Sequence, residues 1–104
     1  MFEEYLSEEE KKNPVAFYFW RAKELEIGAE YMHLVSFKTK FVYDIEVRNN
    51  YHILYDRVMS SNISDYCKKE MEDWYTFNYD FVGFMSVQDL NKGLEEMLNR
   101  FNLL

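Results

Sequence analysis

The sequence predicts an α+β domain in which helices cover a small antiparallel sheet. Two segments, over about 35–48 and 75–82, alternate large apolar and polar residues, as a half-buried strand does. A third, residues 87–101, carries an apolar stripe at helical spacing. The chain has 104 residues, 48% of them hydrophobic and 30% charged, so a single globular domain over 1–104 is expected.

The N-terminal third predicts two helices. Ser7 and Glu10 have the spacing of a capping box, which opens a short acidic helix. Asn13 then provides an N-cap, and Pro14 suits the first helical position because its missing N–H has no helical partner to lose. This second helix is expected to run to about residue 27, with Gly28 as its C-terminal stop.

The middle of the chain predicts a hairpin over about 35–56. A three-residue loop at 48–50 would pair Val47 with Tyr51 and Ile45 with Ile53, which places every large side chain on one face. A helix is the competing interpretation, and it would turn the whole protein into an all-α bundle. The stripe of that helix comprises Val47, Tyr51, Leu54, Tyr55 and Val58.

The C-terminal part predicts a helix, a strand and a further helix. Ser60, Ser61 and Asn62 form a polar break and the expected cap of a helix, after which apolar residues recur at helical spacing from 63 to 74. A strand over about 75–82 follows. Ser86 is the expected start of the last helix, whose stripe is the most regular in the chain. That stripe comprises Val87, Leu90, Leu94, Met97, Leu98 and Phe101.

The charge balance limits the classes of partner. The formal net charge is -7, and most of the excess acid lies before residue 31 and after residue 60. Contacts with nucleic-acid phosphates are therefore disfavoured, and a protein with a basic surface is the favoured partner. An acidic N-terminus without a basic stretch and the lack of a long apolar run indicate no membrane and a cytoplasmic protein.

No catalytic or metal motif is evident, so no cofactor, metal or enzymatic activity is expected. Cys67 is the only cysteine and lies on an apolar helical stripe, where a thiol usually serves as a small hydrophobe. His33 and His52 are too few and too far apart in the chain for a typical zinc site.

Two features remain as candidate partner-binding sites. The first is the acidic N-terminus, where carboxylates outnumber lysines and could steer a basic partner. The second is the ring-rich segment 74–81, because aromatic side chains are enriched at desolvated interfaces and make up 19% of this chain. The candidate residues are Glu3, Glu4, Glu8, Glu9, Glu10, Trp74, Tyr75 and Tyr79.

These features favour a non-enzymatic acidic protein that inhibits or regulates another protein. Immunity proteins, antitoxins and phage antagonists share this physics of charge and size, which is an analogy and no sequence resemblance. A homo-oligomeric structural or accessory protein is the alternative, since surplus rings could be hidden in a self-interface. A small enzyme or ligand binder with a site built from scattered residues is a second alternative.

Overall fold

The computed structural model describes Glu8 and residues 12–104, and this part of the chain is all-helical. It contains four α-helices and two short 3-10 turns, over Met32–Leu34 and Tyr79–Phe81. The described residues form no strand, and an isolated bridge between Val82 and Met85 is their only sheet-like pairing. The predicted α+β fold is therefore wrong. The helices are α1, Pro14–Ala29; α2, Phe37–Met59; α3, Asp65–Asn78; and α4, Val87–Arg100.

Helix α1 begins as predicted and ends later. The Asn13 side chain accepts a hydrogen bond from the Ala16 amide, and Pro14 occupies the first turn. Gly28 lies inside the helix instead of ending it. The hydroxyl of Tyr43, which donates to the Leu25 carbonyl, lies where a Gly28 Cβ would be. Gly28 therefore serves the close approach of α2 to α1.

Helix α2 replaces the predicted hairpin over 35–56. Ser36 caps it by accepting from the Thr39 amide at 3.2 Å, and the expected loop at 48–50 lies within the helix. The same segment that alternates with period two also carries apolar residues at helical spacing, and α1 and α3 bury that second pattern. Its fully buried positions are Val47, Tyr51, Leu54 and Val58.

Helix α3 and the 3-10 turn after it replace the predicted strand over 75–82. Its N-cap is Ser64, which accepts from the Cys67 amide at 3.2 Å, and not the polar break at 60–62. The helix continues to Asn78 and then tightens into the turn Tyr79–Phe81. The rings that would share one strand face are consequently divided between two faces of a helix.

Helix α4 confirms the last predicted helix. Ser86 is its N-cap, accepting from the Asp89 amide at 3.4 Å. Every member of the predicted stripe is buried. Leu94 and Leu98 are completely enclosed, so this helix contributes the central part of the core.

The four helices share one core. Helix α1 packs against α2 and α4, and α3 packs against α2 on the other side. Phe19 of α1, Leu54 of α2 and Met71 of α3 are fully buried in this core. No helix in the described range is both long and apolar enough to cross a lipid bilayer.

Candidate functional site

An open groove runs along the outer face of α3 to the turn that follows it. We refer to it as the acidic groove. Three carboxylates and one lysine supply its charge, so the groove is negative, as the whole chain is. Its lining residues are Lys69, Glu72, Asp73, Thr76, Phe77, Asp80 and Phe81.

Two phenyl rings form the apolar part of the acidic groove. Phe77 and Phe81 lie one turn apart, with ring centroids 5.2 Å from each other and ring planes inclined by 34°. Phe77 is 64% exposed and Phe81 is 41% exposed. Large rings that contact each other and still face solvent provide a rigid surface for an apolar or cationic side chain.

The charges of the acidic groove are only partly compensated. Lys69 Nζ binds Asp73 Oδ1 at 2.6 Å, and this hydrogen bond and ion pair raise the pKa of the lysine. Glu72 and Asp80 form no ion pair within residues 12–104. Glu72 also attracts Lys69 without a direct ion pair, so three carboxylates share one lysine and the groove keeps a net negative charge beside the rings.

The three predicted binding rings pack on the α2 side of α3, Trp74 and Tyr75 from the helix and Tyr79 from the turn after it. Trp74 meets Tyr51 edge to face at 5.4 Å between centroids. Tyr75 stacks on Tyr55 at 4.3 Å, and Tyr79 lies 5.1 Å from Tyr75. These half-buried rings stabilise the α2–α3 interface, and their contact with a partner stays a prediction.

Arg48 holds the turn that carries Phe81. Its Nε donates to the Tyr79 carbonyl at 3.2 Å, and one terminal nitrogen donates to the Val82 carbonyl at 2.8 Å. The guanidinium also lies 6.0 Å from the centre of the Tyr79 ring. The C-terminal end of the acidic groove is thus tied to the middle of α2.

The predicted acidic N-terminus is described only at Glu8, which is exposed. The other four candidate acids lie outside the described residues, so the structure adds nothing to their prediction. Those acids are Glu3, Glu4, Glu9 and Glu10.

One hydrogen-bonded group outside the acidic groove combines a carboxylate, an imidazole and a phenol. His52 Nδ1 lies 2.8 Å from the Tyr75 hydroxyl, and His52 Nε2 lies 3.4 Å from Asp56 Oδ2. Burial and neighbouring acidic groups raise the pKa of Tyr75, which is the opposite of what a nucleophilic phenolate needs. Across the described residues, no three His, Cys, Asp or Glu side chains gather as metal ligands would.

Phe77 and Phe81 are absent from the candidate residues that sequence reasoning selected. A strand places them on one face with Tyr75 and Tyr79, where the core accounts for all four rings. A helix instead separates Phe77 and Phe81 from Tyr75 and Tyr79, because residues two apart lie on nearly opposite sides of a helix. The spacing of four between the two phenylalanines, with acids at 72, 73 and 80, was the available signal.

Exposed rings beside carboxylates can bind the side chain of lysine or arginine, which combines an apolar stem with a cation.

No family model, curated protein or solved structure matches the chain.

Proposed function

We propose that this chain is a non-enzymatic binding protein whose acidic groove takes a basic segment of another protein. One observation carries the proposal. Phe77 and Phe81 are exposed and in contact with each other, and Glu72 and Asp80 beside them form no direct ion pair within residues 12–104.

A lysine or arginine side chain suits both parts of the acidic groove. Its methylene stem can cover the two rings while its cation lies near Glu72 or Asp80. A cation over an exposed ring contributes roughly 0.5–1 kcal/mol, and an exposed ion pair contributes about 0.2–1 kcal/mol. Several such contacts are needed for useful affinity, so the partner should present more than one basic residue.

The net charge of -7 supports the same class of partner. Complementary charge mainly accelerates encounter and suppresses wrong partners. A small acidic protein that covers a basic surface also blocks whatever that surface binds. We therefore place this chain among inhibitors or regulators of a basic protein, of the immunity-protein, antitoxin or phage-antagonist kind.

The test uses a synthetic six-arginine peptide, with a six-glutamate peptide as the negative control. Amide chemical shifts of the full chain are followed during titration, and the largest changes are expected from Glu72 to Phe81. The double variant Glu72→Gln/Asp80→Asn should weaken binding about fivefold, as expected from the loss of two exposed ion pairs. Replacing Phe77 by Ser should weaken binding by a similar factor.

The matched control removes the same charge elsewhere on the surface. Glu24 and Glu96 are exposed on α1 and α4, so Glu24→Gln/Glu96→Gln should change the affinity less than twofold. Tyr66→Ser removes another exposed ring from α3 and should also have little effect. If both double variants weaken peptide binding equally, the affinity depends only on the net charge of the chain, and the assignment of binding to the acidic groove is wrong.

A further inference from the structure

The outer face of α2 carries a second apolar surface, separate from the acidic groove. Phe37 is 83% exposed, Phe41 53%, Val42 54% and Ile45 40%, although all four lie on a 23-residue helix whose other side forms the core. The described residues place no other helix over this face. We refer to these four residues as the α2 patch.

The border of the α2 patch carries balanced charges, whereas the chain as a whole is acidic. Lys38 and Glu46 lie on one flank, where they line a shallow groove with Thr39, Val42 and Tyr43. Both charged side chains are exposed, and neither forms an ion pair within the described residues. The face offers one positive and one negative charge, so it selects neither a basic nor an acidic partner.

We propose that the α2 patch binds a second copy of this chain, with the two α2 helices antiparallel across a twofold axis between Phe41 and Val42. A twofold interface must be complementary to itself, so that residue i meets residue j and j meets i. Lys38 and Glu46 are each four residues from Val42. An antiparallel copy therefore brings Lys38 of one chain opposite Glu46 of the other, twice.

The apolar flank obeys the same symmetry. Phe37 and Ile45 are each four residues from Phe41, so Phe37 meets Ile45 of the second copy and the two Phe41 rings meet near the axis. The centres of the two flanks differ by one residue, which is about 1.5 Å along a helix and within the tolerance of side-chain packing. Rings then contact apolar groups while opposite charges pair at the edge.

The size of the α2 patch agrees with a reversible dimer. With about 200 Å² for a whole large side chain, the exposed parts of its four residues amount to roughly 460 Å² per copy. Two copies, together with the stems of Lys38, Thr39 and Glu46, bring the buried total to about 1,200 Å². This is the lower limit of stable specific interfaces, so a weak and reversible dimer is expected.

The test is analytical ultracentrifugation of the full chain from low to high micromolar concentration. A monomer–dimer equilibrium is expected, and Phe41→Asp should raise its dissociation constant at least tenfold. Trp20→Ser is the matched control, because it removes an exposed ring from α1 and should leave the equilibrium unchanged. Circular dichroism verifies that each variant keeps its helices.

A charge exchange tests the register of the two helices. Lys38→Glu or Glu46→Lys alone brings like charges together and should weaken the dimer, whereas the double exchange restores opposite charges and should return its strength. A chain that stays monomeric at every concentration, or a dimer that Phe41→Asp does not weaken, would overturn the proposal. Failure of the double exchange to restore the dimer would overturn the antiparallel register.

Discussion

The hydroxyl of Tyr51 donates a 2.5 Å hydrogen bond to the side-chain oxygen of Asn91 in the middle of the helix bundle. The amide nitrogen of Asn91 donates in turn to the Ala22 carbonyl at 2.9 Å and to Glu26 Oε1 at 3.1 Å. One fully buried side chain thus links α1, α2 and α4. Polar groups that must be paired inside a core restrict how the helices can slide.

Replacing Asn91 with Leu should lower the free energy of unfolding by about 2–4 kcal/mol. Leucine has a similar volume, but it leaves the Tyr51 hydroxyl buried without its acceptor, at about 1–3 kcal/mol. It also removes the additional hydrogen bonds to the Ala22 carbonyl, which keeps its own helical bond, and to Glu26, at about 0.5–1.5 kcal/mol each. Urea unfolding followed by circular dichroism measures the change. Asn99→Leu, an exposed substitution on the same helix, should stay within about 0.5 kcal/mol of the wild type.

Stability should fall above about pH 10 because of Tyr51. Burial, with the nearby Glu26 carboxylate, raises the pKa of this phenol above its usual value. The unfolded chain then releases the proton first, so this contribution is complete below about pH 10 and is lost as the pH rises toward the folded-state pKa. Urea unfolding between about pH 8 and pH 11 should show the loss.

The substitution Tyr51→Phe isolates this effect. It lowers stability at neutral pH, because Asn91 loses its donor, but it should flatten the decline at alkaline pH. Tyr66→Phe removes an exposed phenol and should preserve the wild-type decline. An unchanged decline in Tyr51→Phe would show that other groups cause the alkaline loss.

The contact between Gly28 and Tyr43 should make Gly28→Ala destabilising. Alanine inside a helix normally gains about 0.5–1 kcal/mol over glycine, but a Cβ here collides with the Tyr43 hydroxyl and approaches its ring. Overpacking of this kind costs about 1–3 kcal/mol. Thermal unfolding of Gly28→Ala, Tyr43→Phe and the double variant measures this cost. The loss of stability caused by Gly28→Ala should be smaller in the Tyr43→Phe background, where the hydroxyl is absent. Strictly additive effects would contradict the collision.

The Arg48 bonds to the turn after α3 should control its local opening. Arg48→Met removes the hydrogen bonds to the Tyr79 and Val82 carbonyls and should cost about 1–2 kcal/mol. Hydrogen exchange of the Phe84 and Met85 amides, which bond to the Phe81 carbonyl, should accelerate more than exchange in α4. Arg21→Met on the exposed side of α1 provides the comparison and should alter neither.

Local features of the sequence were reliable where neighbouring residues alone decide the structure. Asn13 and Ser86 cap their helices as predicted, because an N-cap needs only a side-chain oxygen and an amide three residues later. The α4 stripe was equally clear, since its residues follow only the helical period. Gly28 was misinterpreted because its role depends on Tyr43, which lies on another helix.

The candidate site was harder to predict from the sequence, because it also depends on contacts between helices. Whether a ring faces the core or solvent depends on the period of its segment, and the alternation over 75–82 favoured a strand. The strand interpretation placed Tyr75, Phe77, Tyr79 and Phe81 on one core face. The structure instead packs Tyr75 and Tyr79 against α2 and leaves Phe77 and Phe81 exposed.

The acidic balance, the starts of α1 and α4, and the buried face of α4 could be predicted, because each depends on composition or on residues within one or two turns. Packing between helices settles that residues 37–59 form one helix and which rings remain outside. Val47, Tyr51, Leu54 and Val58 favour a helix only when α1 and α3 are present to bury them, and the alternating pattern that favours a strand then leaves Phe37, Phe41 and Ile45 exposed. Such a choice is made by long-range burial, which no local pattern records.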